Sequence, residues 1–90
     1  MKELSERLAV AEAILRVLSG GSLRRTALEK RVFKSRDVSY SCFSSMFAFL
    51  VFDGDVEKVG VEKTAPFRIT KKGEAFLVWR ALCRLEEAMS

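Results

Sequence analysis

Apolar residues recur at helical spacing in the segment from residue 39 to residue 53. Intervals of three, one and three residues place four of them on one helix face: Phe43, Met46, Phe47 and Leu50. Ser39 suits the N-cap and Gly54 suits the C′ position, so this helix has a start signal and a stop signal. We therefore predict helix three over residues 39–53. Its outward positions should be Tyr40, Ser41, Ser44, Ser45, Ala48, Phe49 and Phe52.

Two further helices are predicted upstream. Residues 4–18 carry one apolar stripe, which ends at a Gly-Gly pair and consists of Leu4, Leu8, Ala11, Ile14, Leu15 and Leu18. We assign no chemistry to this first helix. Helix two should run to about Phe33 with Leu28 and Val32 facing the core. Thr26 and Glu29 fit a capping box at its start, although a start at Arg24 would keep the helix and lose that cap.

Downstream of Gly54 the apolar period changes from that of a helix to that of a strand. Residues 56–59 and 67–70 alternate apolar and polar positions, and residues 60–66 join them. We predict a β-hairpin whose candidate inner residues are Val56, Val59, Phe67 and Ile69. Because positions 56 and 59 differ in parity, one of those two valines must point elsewhere.

The last segment, residues 71–89, is predicted to be a long helix with a wide apolar surface. Apolar residues step by three and four along one row, and a second row lies beside it. The first row is Ala75, Val78, Leu82, Leu85 and Met89, and the second is Phe76, Trp79 and Cys83. This surface could pack on helix one or form a two-fold dimer, and we favour the dimer. Its predicted interface is Val78, Trp79, Leu82, Cys83, Leu85 and Met89.

Composition fits one small domain with an anionic partner. The 90 residues are 49% hydrophobic, which is more apolar surface than a lone chain of this size easily covers, and the net charge is +4. Residues 20–72 hold eleven Lys and Arg against six Asp and Glu. These basic side chains could simply be solvated, but their excess over the acidic ones favours contact with phosphate. They are Arg24, Arg25, Lys30, Arg31, Lys34, Arg36, Lys58, Lys63, Arg68, Lys71 and Lys72.

Catalytic chemistry is not expected. The chain has no His, its serines have no partner base, and it has no glycine-rich phosphate loop. We expect no metal and no cofactor. Cys42 and Cys83 have no metal-ligand spacing; both could be reduced thiols, or either could form a disulfide within or between chains. No segment has the length of a membrane span and the N-terminus does not resemble a signal peptide, so we expect a cytoplasmic protein.

Two motifs resemble those of a known fold family. The spacing of Phe47, Leu50, Gly54 and Val56 resembles the end of the third helix of a winged helix-turn-helix domain. Residues 67–76 resemble the aromatic-x-Ile-Thr-x-x-Gly-x-x-apolar signature that closes the wing in many archaeal and bacterial winged helices. Physically, Thr70 would end the strand and cap the last helix, and Gly73 would let that helix pass close to the hairpin.

The match covers residues 4–78. It is similar to the MarR- and PadR-like regulators, and more closely to small archaeal winged-helix DNA-binding proteins that dimerise through a C-terminal helix. The resemblance implies an α+β, mainly α fold: a three-helix core, a β-hairpin wing and a C-terminal dimerisation helix in a single domain over residues 1–90. It also implies that residues 22–24 form a turn or a one-residue strand. Lysine, arginine and glutamate content together with these motifs suggests an archaeon or its virus as the source.

The resemblance implies a dimeric transcriptional regulator that binds double-stranded DNA through helix 39–53 and wing 56–70. By that analogy Tyr40, Ser41, Ser44 and Ser45 would contact the groove. One feature opposes simple base reading: no Lys or Arg occurs between Arg36 and Lys58. Two alternatives therefore stay open. One is a protein–protein interaction module with this fold, and the other is an architectural DNA binder that tolerates any sequence.

Overall fold

The computed structural model describes residues 2–89, and their side chains from residue 6 onward. Four helices and one hairpin follow in the order α1 (Lys2–Ser19), α2 (Arg25–Ser35), α3 (Tyr40–Asp53), β1 (Val56–Lys58), β2 (Phe67–Ile69) and α4 (Lys71–Met89). The predicted α+β, mainly α architecture is thereby confirmed. Leu4, assigned to the apolar stripe of the first helix, lies outside the residues whose side chains are described.

The core forms where the first three helices meet. Its buried side chains come from α1, α2, α3 and the start of β1, and they are Val10, Ala11, Ile14, Leu15, Leu18, Leu28, Val32, Phe43, Phe47, Leu50 and Val56. Phe43 and Phe47 stack with ring centroids 5.9 Å apart, and Phe47 meets Phe67 edge to face at 4.8 Å. The aromatic rings therefore join α3 to the hairpin, which fixes the wing relative to this helix.

Helix α3 begins and ends as the sequence predicts. The Ser39 hydroxyl accepts a hydrogen bond from the Cys42 N–H at 3.1 Å, which satisfies one donor of the first turn. Gly54 takes a left-handed conformation, with φ 88°, and its N–H donates to the Leu50 and Val51 carbonyls. Phe43, Phe47 and Leu50 are buried and Met46 is half-buried against the core.

The start of α2 differs from the predicted capping box. The helix begins at Arg25 with Arg24 as its N-cap, so Thr26 lies inside the first turn and cannot cap it. The cause is a tertiary pairing: Leu23 and Phe67 exchange two backbone hydrogen bonds, at 3.0 and 2.8 Å. This bridge holds the chain extended up to Arg24. Leu23 is therefore the one-residue strand that the resemblance implied. The predicted box was wrong, whereas the alternative of an earlier start was right.

The hairpin is shorter than predicted, with three residues in each strand. Its antiparallel register pairs Val56 with Ile69 and Lys58 with Phe67. Val56 is buried and Val59 is 41% exposed, so Val59 is the valine that points away from the core. Val59 was therefore wrongly included among the inner residues.

Thr70 and Gly73 act as predicted at the start of α4. The Thr70 hydroxyl donates to the Gly54 carbonyl at 2.6 Å and accepts from the Gly73 N–H at 3.3 Å. A β-carbon at Gly73 would lie 2.4 Å from the Asp55 carbonyl oxygen, so only glycine permits this close approach. The cap and the glycine together fix α4 against the α3–β1 junction.

Helix α4 packs on α1 through one face. Phe76 and Leu77 lie partly buried against the core, and Arg80 and Arg84 approach Glu12 of α1. The opposite face is apolar and exposed, and it carries Val78, Trp79, Leu82, Leu85 and Met89. Of the two predicted uses of α4, contact with helix one is present, and a large apolar face is left over. Ala75, assigned to the seam, is also exposed.

Candidate nucleic-acid interface

Two elements predicted to contact DNA converge on one cleft. The wing tip and the N-terminus of α2 line a cavity of about 180 Å³. Its lining residues are Arg24, Arg25, Thr26, Lys63, Thr64, Ala65 and Phe67. Three of these are basic and none is acidic among the described residues that line it. The cleft is therefore electropositive, and an anion is the ligand that it favours.

The helix terminus adds donors to this cleft. The Arg24 side chain makes no capping hydrogen bond with any described residue, and the first turn of α2 contains no acidic residue. The first backbone N–H groups of a helix have no intrahelical acceptor, and their dipoles favour negative charge. The Thr26 hydroxyl lies beside them. Together these groups are the type that holds a phosphate.

Arg25 connects the cleft to α3. Its Nη2 donates to the Ser44 hydroxyl at 3.2 Å, and its guanidinium carbon lies 5.2 Å from the centre of the Phe47 ring. Arg25 and Ser44 are both half-buried as a result. Ser44 was predicted to face outward and instead faces α2, where its hydroxyl accepts from the Arg25 guanidinium. The pair positions the cleft beside α3.

The other residues predicted for the groove lie on the surface of α3. Tyr40, Ser41 and Ser45 are exposed. Ser41 and Ser45 are one turn apart, and Ala48 and Phe52 continue the same line at intervals of three and four. We call Ser41, Ser45, Ala48 and Phe52 the outer stripe of α3. Phe52 is 92% exposed, and the sequence pattern gave its direction but not its degree of exposure.

The basic residues predicted to contact the DNA backbone divide into those available for phosphate binding and those already paired within the fold. The exposed basic residues without an ion pair in the described chain are Arg24, Lys30, Arg31, Lys34, Arg36, Lys58, Lys63 and Lys71. Arg68 is paired with Glu57 across the hairpin. Lys72 donates to the Asp53 carbonyl at 2.7 Å and lies 3.3 Å from the Asp53 carboxylate. The structure therefore brings Arg24, Arg25 and Lys63 together and gives Arg68 and Lys72 partners within the fold.

A pair of carboxylates, Asp53 and Asp55, lies where α3 ends, and no pattern in the sequence predicted it. Asp55 is buried. Burial, followed by the neighbouring Asp53 carboxylate, raises the pKa of Asp55 to about 6. The hydrogen bond with Asp55, followed by Lys72, lowers the pKa of Asp53 below its usual value. A protonated Asp55 that donates to an ionised Asp53 accounts for both directions.

Asp55→Asn is expected to stabilise the protein at pH 7 by about 1–2 kcal/mol, because Asp55, with a pKa of about 6, is ionised at that pH whereas asparagine keeps the neutral donor. Between about pH 4 and pH 6, the folded wild type still holds the Asp55 proton whereas the unfolded chain has already released it. Wild-type stability should fall as pH rises through that window. Asp53 has a lowered pKa and acts only below about pH 4, outside this range.

Urea unfolding of both proteins at pH 4, 5, 6 and 7 measures the difference. The two midpoints should converge at pH 4 and separate by pH 7. A gap that is the same at every pH would contradict the protonated state of Asp55.

No group of three His, Cys, Asp or Glu side chains among the described residues could hold a metal ion. No helix within residues 2–89 has the length and apolarity needed to cross a membrane. Cys42 and Cys83 are half-buried and free in this part of the chain. A disulfide between chains stays a prediction.

The arrangement of three helices, a two-stranded hairpin and a pairing between Leu23 and that hairpin defines a winged-helix fold. A scan against protein-family models gave no match, and a sequence search of curated proteins gave none either. Among solved structures, the crystal structure of SSV1 F-93 is similar to this chain with a TM-score of 0.65. The similarity covers 90% of this chain and 91% of that chain at 17% identity. At this identity the likeness establishes the shared winged-helix fold.

Proposed function

We propose that the protein is a dimeric winged-helix transcriptional regulator that binds double-stranded DNA. The observation that carries this proposal is the electropositive cleft, where Arg24, Arg25 and Lys63 converge from α2 and the wing. Phosphate contacts of this kind supply sequence-independent affinity and fix the orientation of the protein on the duplex. The outer stripe of α3, which Arg25 places beside the cleft, would then face the major groove. The resemblance to MarR- and PadR-like regulators points the same way.

Removing one cleft cation should weaken duplex binding. Arg24→Gln or Lys63→Gln is expected to raise Kd by roughly tenfold to a hundredfold, since a hydrogen bond to a charged group contributes about 1.5–3 kcal/mol. Fluorescence anisotropy with a labelled duplex at fixed salt measures the change. The loss should be similar for unrelated sequences, because phosphate contacts carry no sequence information.

Arg16→Gln is the matched control. It removes the same charge from an exposed arginine on α1 whose guanidinium lies 2.8 Å from Glu12. We expect its affinity to stay within twofold of the wild type. Equal losses in all three variants would show that net charge alone governs binding and that the cleft is not the site.

The dimer forms, in this proposal, through the exposed face of α4. The helix is already held on α1 by its other side, so the row Val78, Leu82, Leu85 and Met89 has no partner among the described residues. Two such rows packed about a two-fold axis would cover both. Trp79 and Cys83 lie on the neighbouring row, where Trp79 is exposed and Cys83 is half-buried.

Leu82→Asp is expected to convert the dimer to a monomer, because it would bury a charge at the centre of the interface. Leu82 is exposed in the single chain, so the fold should survive. Sedimentation equilibrium should give twice the chain mass of 10.2 kDa for the wild type and one chain mass for the variant. Ala88→Asp, which places the same charge on α4 outside the row, should stay dimeric. A monomeric wild type would contradict the dimer.

A second candidate function is protein recognition. Phe49, Val51 and Phe52 are exposed on α3, and they offer apolar surface that suits a protein partner. Failure to bind any duplex, together with capture of a specific partner that Phe52→Ser abolishes, would favour this module. Equal affinity for many unrelated duplexes would instead favour an architectural DNA binder.

A further inference from the structure

The chemistry of α3 restricts what its outer stripe can recognise. The helix has the sequence YSCFSSMFAFLVFD, whose one charged residue is Asp53. Asp53 is engaged by Lys72. Guanine and adenine are read by bidentate contacts from Arg, Lys, Asn or Gln, and α3 has none of these. Base recognition through this helix must therefore use hydroxyl groups and apolar contact.

Thymine presents the apolar group that such a helix could use. In the major groove of unmodified DNA, the C5-methyl of thymine is the feature that alanine and phenylalanine contact. The C-terminal half of the outer stripe consists of Ala48 and Phe52, both exposed, with Phe52 at 92%. Ser41 and Ser45 occupy the other half and can accept from or donate to either base type.

Charge complementarity places a duplex next to this stripe. Arg25 lines the electropositive cleft and also donates to Ser44 of α3, so the phosphate-binding groups lie along one side of the helix. A phosphate in the cleft would place the neighbouring base edges on the α3 side. The outer stripe itself carries no negative charge that would repel the neighbouring phosphates.

We propose that Ala48 and Phe52 read thymine C5-methyl groups in the major groove, so that the protein prefers duplexes rich in A·T pairs. This inference deepens the proposed function and rests on it. It also gives Phe52 a specific ligand: the thymine methyl, in place of a protein partner.

Replacing every thymine of an A·T-rich duplex by deoxyuridine tests the inference directly. Deoxyuridine keeps the phosphates and every base-pairing group and lacks only the methyl. We expect Kd for the wild-type protein to rise by roughly fourfold for each methyl contacted, the factor that burial of one methyl-sized group supplies. In the reverse direction, 5-methylcytosine should strengthen binding to a G·C-rich duplex.

The double variant Ala48→Ser, Phe52→Ser should abolish this discrimination. Both positions are exposed, so the substitutions leave the core intact. Its affinities for the thymine and uracil duplexes should become equal, and both should match the wild-type affinity for the uracil duplex. Val61→Ser is the control: it removes an apolar side chain that is fully exposed at the wing tip and should keep the wild-type ratio.

The outcomes separate the two proposals. A wild-type protein that binds both duplexes equally well would overturn methyl reading and leave DNA binding standing. Discrimination that survives in the double variant would also overturn the assignment to Ala48 and Phe52. A protein that binds neither duplex would overturn the proposed function and this inference with it.

Discussion

Replacing Gly73 by alanine is expected to lower the free energy of unfolding by roughly 2–3 kcal/mol. A β-carbon there would lie 2.4 Å from the Asp55 carbonyl oxygen, 2.7 Å from Ile69 Cγ1 and 3.2 Å from Leu15 Cδ2. In an open helix the same change would stabilise by up to about 1 kcal/mol. Here the contact with backbone outweighs that gain.

The Asp55 carbonyl cannot easily move away. It accepts the Thr70 N–H at 3.0 Å, and the Asp55 N–H donates to the Leu50 carbonyl at 2.9 Å. A shift would therefore break the bonds that join the end of α3 to the start of α4. The displaced helix would change the wing position as well, so DNA affinity should fall together with stability.

Thermal unfolding measures the effect, and 2–3 kcal/mol corresponds to a fall in Tm of about 10–20 °C for a domain of this size. Gly20→Ala is the matched control, since a β-carbon there would lie 3.6 Å from the Val17 carbonyl, an ordinary contact. That variant should be as stable as the wild type or slightly more stable. If both variants unfold at the wild-type temperature, α4 does not press against the α3–β1 junction.

Replacing Glu12 by alanine is expected to destabilise the protein by roughly 2–3 kcal/mol. Glu12 is only 3% exposed, and its carboxylate joins α1 to α4. It accepts from Arg84 Nη2 at 2.5 Å and lies 2.8 Å from Arg16 Nη2 and 3.6 Å from Arg80 Nε. The Arg80 Nε atom is buried and has no hydrogen-bond partner within residues 2–89, so it depends on this nearby charge. The full 3–5 kcal/mol of a broken buried pair is not expected, because Arg16 and Arg84 are partly exposed.

The loss should be concentrated in α4. Hydrogen exchange should accelerate in the second half of α4 more than in α2 and α3, whose core does not include Glu12. Glu12→Gln keeps the shape of the side chain and loses its charge, so the stability of this variant should lie between those of the wild type and Glu12→Ala. Unchanged exchange in α4 of Glu12→Ala would contradict the role of this carboxylate.

Local signals in the sequence were enough to predict the position of α3 and the start of α4. Ser39, Gly54 and Thr70 form caps with residues close to them in the chain or across one turn, so their residue types are informative on their own. Phe43, Phe47 and Leu50 could be predicted to face the core because they lie on the one apolar side of α3, and that side packs against the other helices.

Contacts between distant residues explain what the sequence could not predict. The capping box at Thr26 failed because Leu23 pairs with Phe67, 44 positions away in the chain, and sets where α2 begins. Ser44 was placed outward because helical period alone does not reveal a guanidinium from α2. Glu12 and Arg84 are 72 residues apart, so the ion cluster that joins α1 to α4 left no local pattern.

The site was predictable in composition and unpredictable in geometry. An excess of bases in residues 20–72 indicated an anionic partner, and their spacing could not show which would converge. Folding places Arg24 and Lys63 at one cleft and uses Arg68 and Lys72 for internal pairs. The distinction matters for function, because a basic side chain that is already paired within the fold gains less free energy from contact with a phosphate.

The salt dependence of duplex binding tests the central claim most directly. For wild-type protein and a duplex of arbitrary sequence, log K should fall linearly with log salt, with a slope near −0.9 for each phosphate contacted. Arg24→Gln and Lys63→Gln should each reduce that slope by about one, whereas Arg16→Gln should leave it unchanged. An affinity that does not respond to salt, or slopes that are the same in all four proteins, would contradict a DNA-binding surface built on the cleft between α2 and the wing.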